Sequence, residues 1–183
     1  MTLNDVNVAK LTDLITTLKA RPQDAEPFNR WNAHVKWLGG FRTAIQAGGY
    51  TIRSDEPEEL AGTATGPNPA QLLLSATASC LAVGYAANET ARGIKIEELE
   101  IDAEGELDNI LYFLGLSNEG HPGYRDVKFK VYLKSDASPE ALKELHEYTL
   151  RTSPICNSVA RRVNLKAEIV TPQVTDEIVF TVP

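Results

Sequence analysis

From Leu3 to Ala20, apolar residues recur three and four positions apart. Val6, Leu11, Leu14, Ile15 and Leu18 fall on one side of a predicted helix over residues 3–20. Pro22 and Pro27 then mark a connector. Beyond it the period drops to two: Trp31, Ala33, Val35 and Trp37 alternate with Asn32, His34 and Lys36, the pattern of a half-buried strand. Gly39-Gly40 predicts a hairpin turn, residues 41–46 the returning strand, and Gly48-Gly49 a second turn into residues 50–53. Together these make a three-stranded meander. Residues 54–68 are rich in turn formers and read as a loop.

The stretch GPNPAQLLLSATASCLAVGYAANETARG, residues 66–93, holds no charge over its first three-quarters. Asn68 is placed to cap a helix, Pro69 suits the first helical position because its missing N–H is not needed there, and Gly93 suits the left-handed residue that ends it. A helix from Pro69 to Arg92 would be about 36 Å long. It is apolar on nearly every face from 72 to 87, so it is expected to be surrounded by protein. A small sheet cannot cover all of it, and a second copy of the chain is the expected cover.

Residues 94–108 predict one long or bulged strand, because the apolar phase shifts between Ile96 and Leu99. Residues 109–125 are partly apolar and then turn-rich. Val127, Phe129, Val131 and Leu133 alternate with lysines and Tyr132 in the cleanest strand pattern of the chain. Ser138-Pro139 opens a helix to about Thr152. Ser153-Pro154 breaks it and caps a short helix, ICNSVARR; a strand follows around Val163, Leu165, Ala167 and Ile169, with an extended tail over 174–182. The order predicts an α+β fold: two small antiparallel sheet regions around a long central helix, in one domain over 1–183. Residues 1–27 are an added helix and connector, 28–172 the core and 173–183 a tail.

Composition narrows the function. The 183 residues carry a net charge of −7, which argues against a nucleic-acid binder. The N-terminus lacks the basic start and apolar core of a signal peptide, and the apolar run from Leu72 to Ala87 is shorter than the roughly 20 residues of a membrane span. A cytoplasmic protein without a membrane partner is expected. His34, His121 and His146 show no metal-ligand spacing, no Gly-rich loop opens a helix after a strand, and the acidic runs DEPEEL and EELEIDAEGELD read as solvated faces or loop.

The chemistry therefore rests on Cys80 and Cys156. Cys156 falls in the first turn of its helix, where the helix dipole favours a thiolate. Cys80 lies mid-helix with the small residues Ala76 and Gly84 one turn away, so a ligand or a backbone can approach closely. Taken alone, either cysteine reads more readily as unreactive core packing than as a reacting thiol.

The segment SDEP…GPNPAQLLLSATASCL resembles the first-cysteine region of the OsmC/Ohr family of thiol-dependent peroxidases, and TSPICNSVARRV resembles its second-cysteine segment, with the two cysteines 76 positions apart. Residues 112–142 look like an OsmC-like subgroup. The resemblance spans roughly 35–172 and implies an intertwined homodimer with the cysteine helix at its centre. It implies that Cys80 is the peroxidatic thiol, that Cys156 resolves its sulfenate as a disulfide, and that Arg42 supplies positive charge. Organic hydroperoxides would be reduced to alcohols in oxidative-stress defence, with no bound cofactor or metal but an external dithiol reductant. Gln71, Leu73, Ala76 and Gly84 are expected to line the substrate pocket. One position departs from the family: Ala70 stands where well-studied members carry a glutamate that orients the arginine. Glu58 or Glu59 could stand in for it. The alternative that this leaves open is a non-catalytic or weakly active dimer that binds a small molecule or senses oxidation.

Overall fold

Residues 2–7 form a tight hairpin, not the start of a helix. The computed structural model describes residues 2–170 and the backbone of 175–180. In it β1 (Thr2–Leu3) pairs antiparallel with β2 (Val6–Asn7) across Asn4 and Asp5, which take φ of +52° and +58°. Asn7 then accepts a hydrogen bond from the Lys10 amide, so helix α1 spans Val8–Ala20 and starts later than the apolar spacing predicts. Asn4 pins this N-terminal piece to the body. Its side chain donates to Thr90 Oγ1 and the Ile94 carbonyl and accepts from the Ile96 amide at 2.8 Å. The connector around Pro22 and Pro27 is a 3-10 segment, Pro22–Asn29.

The meander forms with its two glycine turns: β3 (His34–Trp37), β4 (Thr43–Ala47) and β5 (Tyr50–Ser54), with Val35 opposite Ile45 and Ile45 opposite Ile52. Gly39, Gly40, Gly48 and Gly49 all take positive φ, as these turns require. The predicted half-buried strand over 31–37 needs correction. It begins only at His34, and its apolar side chains are bare: Trp31 is 86% exposed and Trp37 69%. The alternation encodes a face made to be covered, and the described residues of the same chain do not cover it.

The loop ahead of the long helix is tied down. Asp55 is buried and accepts from the Thr63 and Thr65 hydroxyls and from the Glu56, Thr63 and Thr65 amides. These hydrogen bonds, that of the Thr63 hydroxyl foremost, hold its carboxyl well below the usual carboxylate range. Helix α2 runs Pro69–Ala91, with a reciprocal capping box between Asn68 and Gln71, and Gly93 turns away at φ +74°.

Strand β6 (Ile96–Leu107) carries the expected bulge between Ile96 and Glu98. After the one-turn helix α3 (Ile110–Phe113), β7 (Tyr124–Ser135) pairs with β6. Leu99–Leu133, Ile101–Val131 and Ala103–Phe129 pair on the half-buried face. On the exposed face Glu98, Asp102 and Glu104 stand opposite Lys134, Lys130 and Lys128, so the acidic run is a solvated face as expected. Helices α4 (Pro139–Thr152) and α5 (Pro154–Ala160) follow. Then β8 (Leu165–Val170) pairs with β9 (Thr175–Phe180). The rest of the predicted extended tail, 174 and 181–182, lies outside the described residues. The α+β architecture stands, with the β1–β2 and β8–β9 ladders added to the two expected sheet regions.

The core sits along one ridge of α2. Thr77, Leu81, Tyr85 and Glu89, four apart, are all buried; Leu81 and Tyr85 meet Leu145 of α4, with Leu99, Ile101, Phe129 and Val131 of the sheet packed around them. By length and composition α2 could cross a membrane, with mean hydropathy 1.4, but this ridge packs on a sheet and two helices as a core helix does. Its opposite side is uncovered, with Leu73 and Val83 exposed.

Glu89 ends the ridge with 0% exposure and neither carboxylate oxygen hydrogen-bonded. Burial, and secondarily the nearby Asp136, push its carboxyl above the ordinary value. The unfolded chain therefore releases this proton at lower pH than the folded one. Stability contributed by the neutral form is full below about pH 4.3 and is lost as pH rises through the raised folded value. Glu89→Gln is expected to melt like the wild type at pH 4 and at a higher temperature at pH 7, measured by thermal denaturation at both.

Candidate active site

Cys80 lies where the buried ridge of α2 meets its uncovered side, and it is half-buried. At about 100° per residue, Leu73, Ala76 and Gly84 fall within about 40° of it around the helix. Leu73 is exposed, so in a single chain this face is an open surface. Gln71 lies nine positions earlier, about 180° away. Its side chain closes the capping box by accepting from the Asn68 amide at 2.9 Å, so the fold does not bring it to Cys80.

Gly84 has a packing reason of its own. A Cβ there would sit 2.8 Å from the Thr149 methyl, so its small size lets α4 close on α2. That approach brings the joint between α4 and α5 over Cys80. Ser153, at the joint, donates from Oγ to Cys80 Sγ at 3.3 Å, and the same oxygen accepts from the Cys156 amide at 3.3 Å. Ser153 is thus the cap of α5, as its Ser-Pro sequence suggests. Its second contact was not legible in the sequence, because it depends on how closely α4 packs.

Cys156 is in the first turn of α5, half-buried and packed beside the Leu81–Tyr85–Leu145 cluster. It opens on an apolar cavity of about 300 Å³ walled by Thr77, Val127, Phe129, Leu150 and Val159; Cys80 is not in that wall. The two thiols are free, so Cys80 and Cys156 are unlinked here.

Arg42 is held at the β3–β4 turn, its Nε donating to the Gly39 carbonyl at 3.3 Å. It makes no hydrogen bond to Cys80. Ala70 contributes its carbonyl, which accepts from the Tyr124 hydroxyl at 2.9 Å. Glu58 and Glu59 are exposed in a 3-10 turn, Glu58–Leu60, and neither is hydrogen-bonded to Arg42. Among the described residues, no group of three or more His, Cys, Asp or Glu is placed to hold a metal ion.

The long helix α2 thus carries a half-buried cysteine, packs on the β6–β7 sheet and meets the second cysteine's helix α5. The family model for OsmC-like proteins matches residues 62–168, and the chain belongs to that family. Its sequence is 26% identical over 127 residues to the uncharacterized protein YmaD of Bacillus subtilis, covering 68% of this chain and 79% of that one. Among solved structures, an OsmC-like protein from Mycoplasma pneumoniae superposes with a TM-score of 0.61 at 20% identity, covering 72% of this chain and 87% of its own. A Legionella pneumophila protein described as an organic hydroperoxide resistance protein superposes with a TM-score of 0.53 at 17% identity over 70% of this chain and 89% of its own. At such identities these structures share the fold.

Proposed function

We propose that the chain is a thiol-dependent peroxidase that reduces organic hydroperoxides to alcohols. The observation that carries this reading is the Ser153–Cys80 contact: a half-buried thiol held by a hydroxyl 3.3 Å away, with a second cysteine one helical turn beyond. The Cys80 thiolate attacks the outer peroxide oxygen and the O–O bond breaks; with one proton, the alcohol leaves and a sulfenic acid remains. The Cys156 thiol condenses with that sulfenic acid, releasing water and forming a disulfide. An external dithiol then reduces it, so the cycle needs no bound cofactor. The description of the Legionella relative as an organic hydroperoxide resistance protein supports the same substrate class.

The working form in this reading is an intertwined homodimer. The uncovered faces of the meander and of α2 support it, since Trp31, Val35, Trp37, Leu73 and Val83 are large apolar side chains left exposed and suited to cover by a second copy. Arg42 from a second copy would then supply the positive charge at Cys80 that the same chain's Arg42 does not. The two free thiols suit a reducing cytoplasm.

The test is consumption of cumene hydroperoxide by the purified protein with dithiothreitol as reductant, beside intact mass after one equivalent of hydroperoxide without reductant. Saturable turnover and a mass lower by two hydrogens, with Cys80 and Cys156 in one linked peptide pair, are expected. Background turnover with unchanged mass overturns the reading.

A further inference from the structure

We propose that Ser153 is a catalytic hydrogen-bond donor that holds Cys80 in its reactive form, an inference that rests on the peroxidase reading above. Ser153 is 4% exposed, so its hydroxyl is withdrawn from bulk water. Its oxygen is engaged by the Cys156 amide, and its single proton is directed to Cys80 Sγ. A hydroxyl whose oxygen already accepts a hydrogen bond is polarised and donates more strongly. The backbone around it is fixed on both sides. The Ser153 amide donates to the Thr149 carbonyl at 3.0 Å, and the Ser153 carbonyl accepts from the Asn157 amide at 3.1 Å and from Asn157 Nδ2 at 2.7 Å. The donor therefore stands in place before substrate arrives, at a joint that Pro154 also stiffens.

A hydrogen bond to a thiolate favours the charged form. Donors to ionised groups are worth enough to raise the thiolate population about tenfold. The same bond draws electron density from sulfur, and the intrinsic nucleophilicity lost is a little under half of that on a logarithmic scale. Near neutral pH the gain in population wins, leaving a net advantage of about threefold. At high pH, where every thiol is ionised, the advantage vanishes or reverses. Capping of α5 alone would produce no such crossover, because lost helix stability does not depend on the thiol's charge.

The test is the rate of Cys80 carboxamidomethylation by iodoacetamide, followed by mass spectrometry in a Cys156→Ser background at pH 7 and pH 10. Ser153→Ala is expected to slow the reaction about threefold at pH 7 and not to slow it at pH 10. Equal rates with and without Ser153 at pH 7, or the same slowing at both pH values, overturn the proposal. Should the alanine variant fold poorly, Ser153→Cys in the same background provides a second measurement. A sulfur at that place lies close enough to bond Cys80 after a small rotation, so one equivalent of oxidant is expected to join Cys80 to the introduced thiol as a disulfide. Absence of that disulfide overturns the placement. Alkylation needs no peroxidase, so the two ideas fail separately. A crossover in a protein without hydroperoxide turnover removes the peroxidase reading and leaves the hydrogen bond. Turnover without a crossover does the reverse.

Discussion

Cys80→Ser is expected to bring cumene hydroperoxide consumption down to background, a loss of at least about a thousandfold, as removal of a nucleophile does. The serine fills nearly the same space beside Ser153, so the fold should survive, as its circular dichroism will report. What disappears is the chemistry. An alcohol at neutral pH carries no appreciable anion, and its oxygen cannot take up the peroxide oxygen to form a sulfenic acid and then a disulfide. Cys156→Ser is expected to behave differently. One equivalent of hydroperoxide is still consumed in a single turnover, and only the repeated cycle slows, because the sulfenic acid then waits for the external thiol. If the Cys80 variant kept wild-type turnover, the reacting thiol would be Cys156, the cysteine that opens on the apolar cavity.

The largest expected effect on stability comes one residue along. Leu81 is fully buried and meets Tyr85 and Leu145, with sheet residues Leu99, Ile101, Phe129 and Val131 packed around them. Leu81→Ala removes apolar contacts from three elements at once and leaves a cavity that α4 and the sheet cannot both move to close. Such truncations cost about 2–5 kcal/mol. In a domain of this size each kcal/mol lowers Tm by about 2–4 °C, so a fall of roughly 4–20 °C is expected by thermal denaturation at fixed protein concentration. A fall of only a degree or two would mean that the ridge through Thr77, Leu81, Tyr85 and Glu89 does not carry the core.

Much of the framework was legible because it depends on local physics. Asn68-Pro69 and Gly93 bracket α2 within a residue of their predicted places, since capping and φ preferences act over four or five residues. The phase shift between Ile96 and Leu99 located the β6 bulge for the same reason. The N-terminal hairpin escaped because its two short strands carry too few residues to reveal a period. Asn4 and Asp5 announce a turn only when the Asn4 hydrogen bonds to Thr90, Ile94 and Ile96, some ninety residues away, are known.

The candidate site divides along the same line. The sequence by itself determined the central apolar helix, the positions of Cys80 and Cys156 on their helices and, through motif resemblance, the family. Each of these depends on residue type and near neighbours. Tertiary structure alone decided that Gln71 turns away from Cys80, that Gly84 serves helix packing, and that the Ser153 hydroxyl reaches the thiol. It also left Arg42 at its own hairpin and Glu89 buried without a partner. These are relations between elements far apart in the chain, fixed by how closely α4 and α5 settle on α2, and a fraction of an ångström in that approach separates a hydrogen bond from none. No periodicity along the chain encodes such a distance.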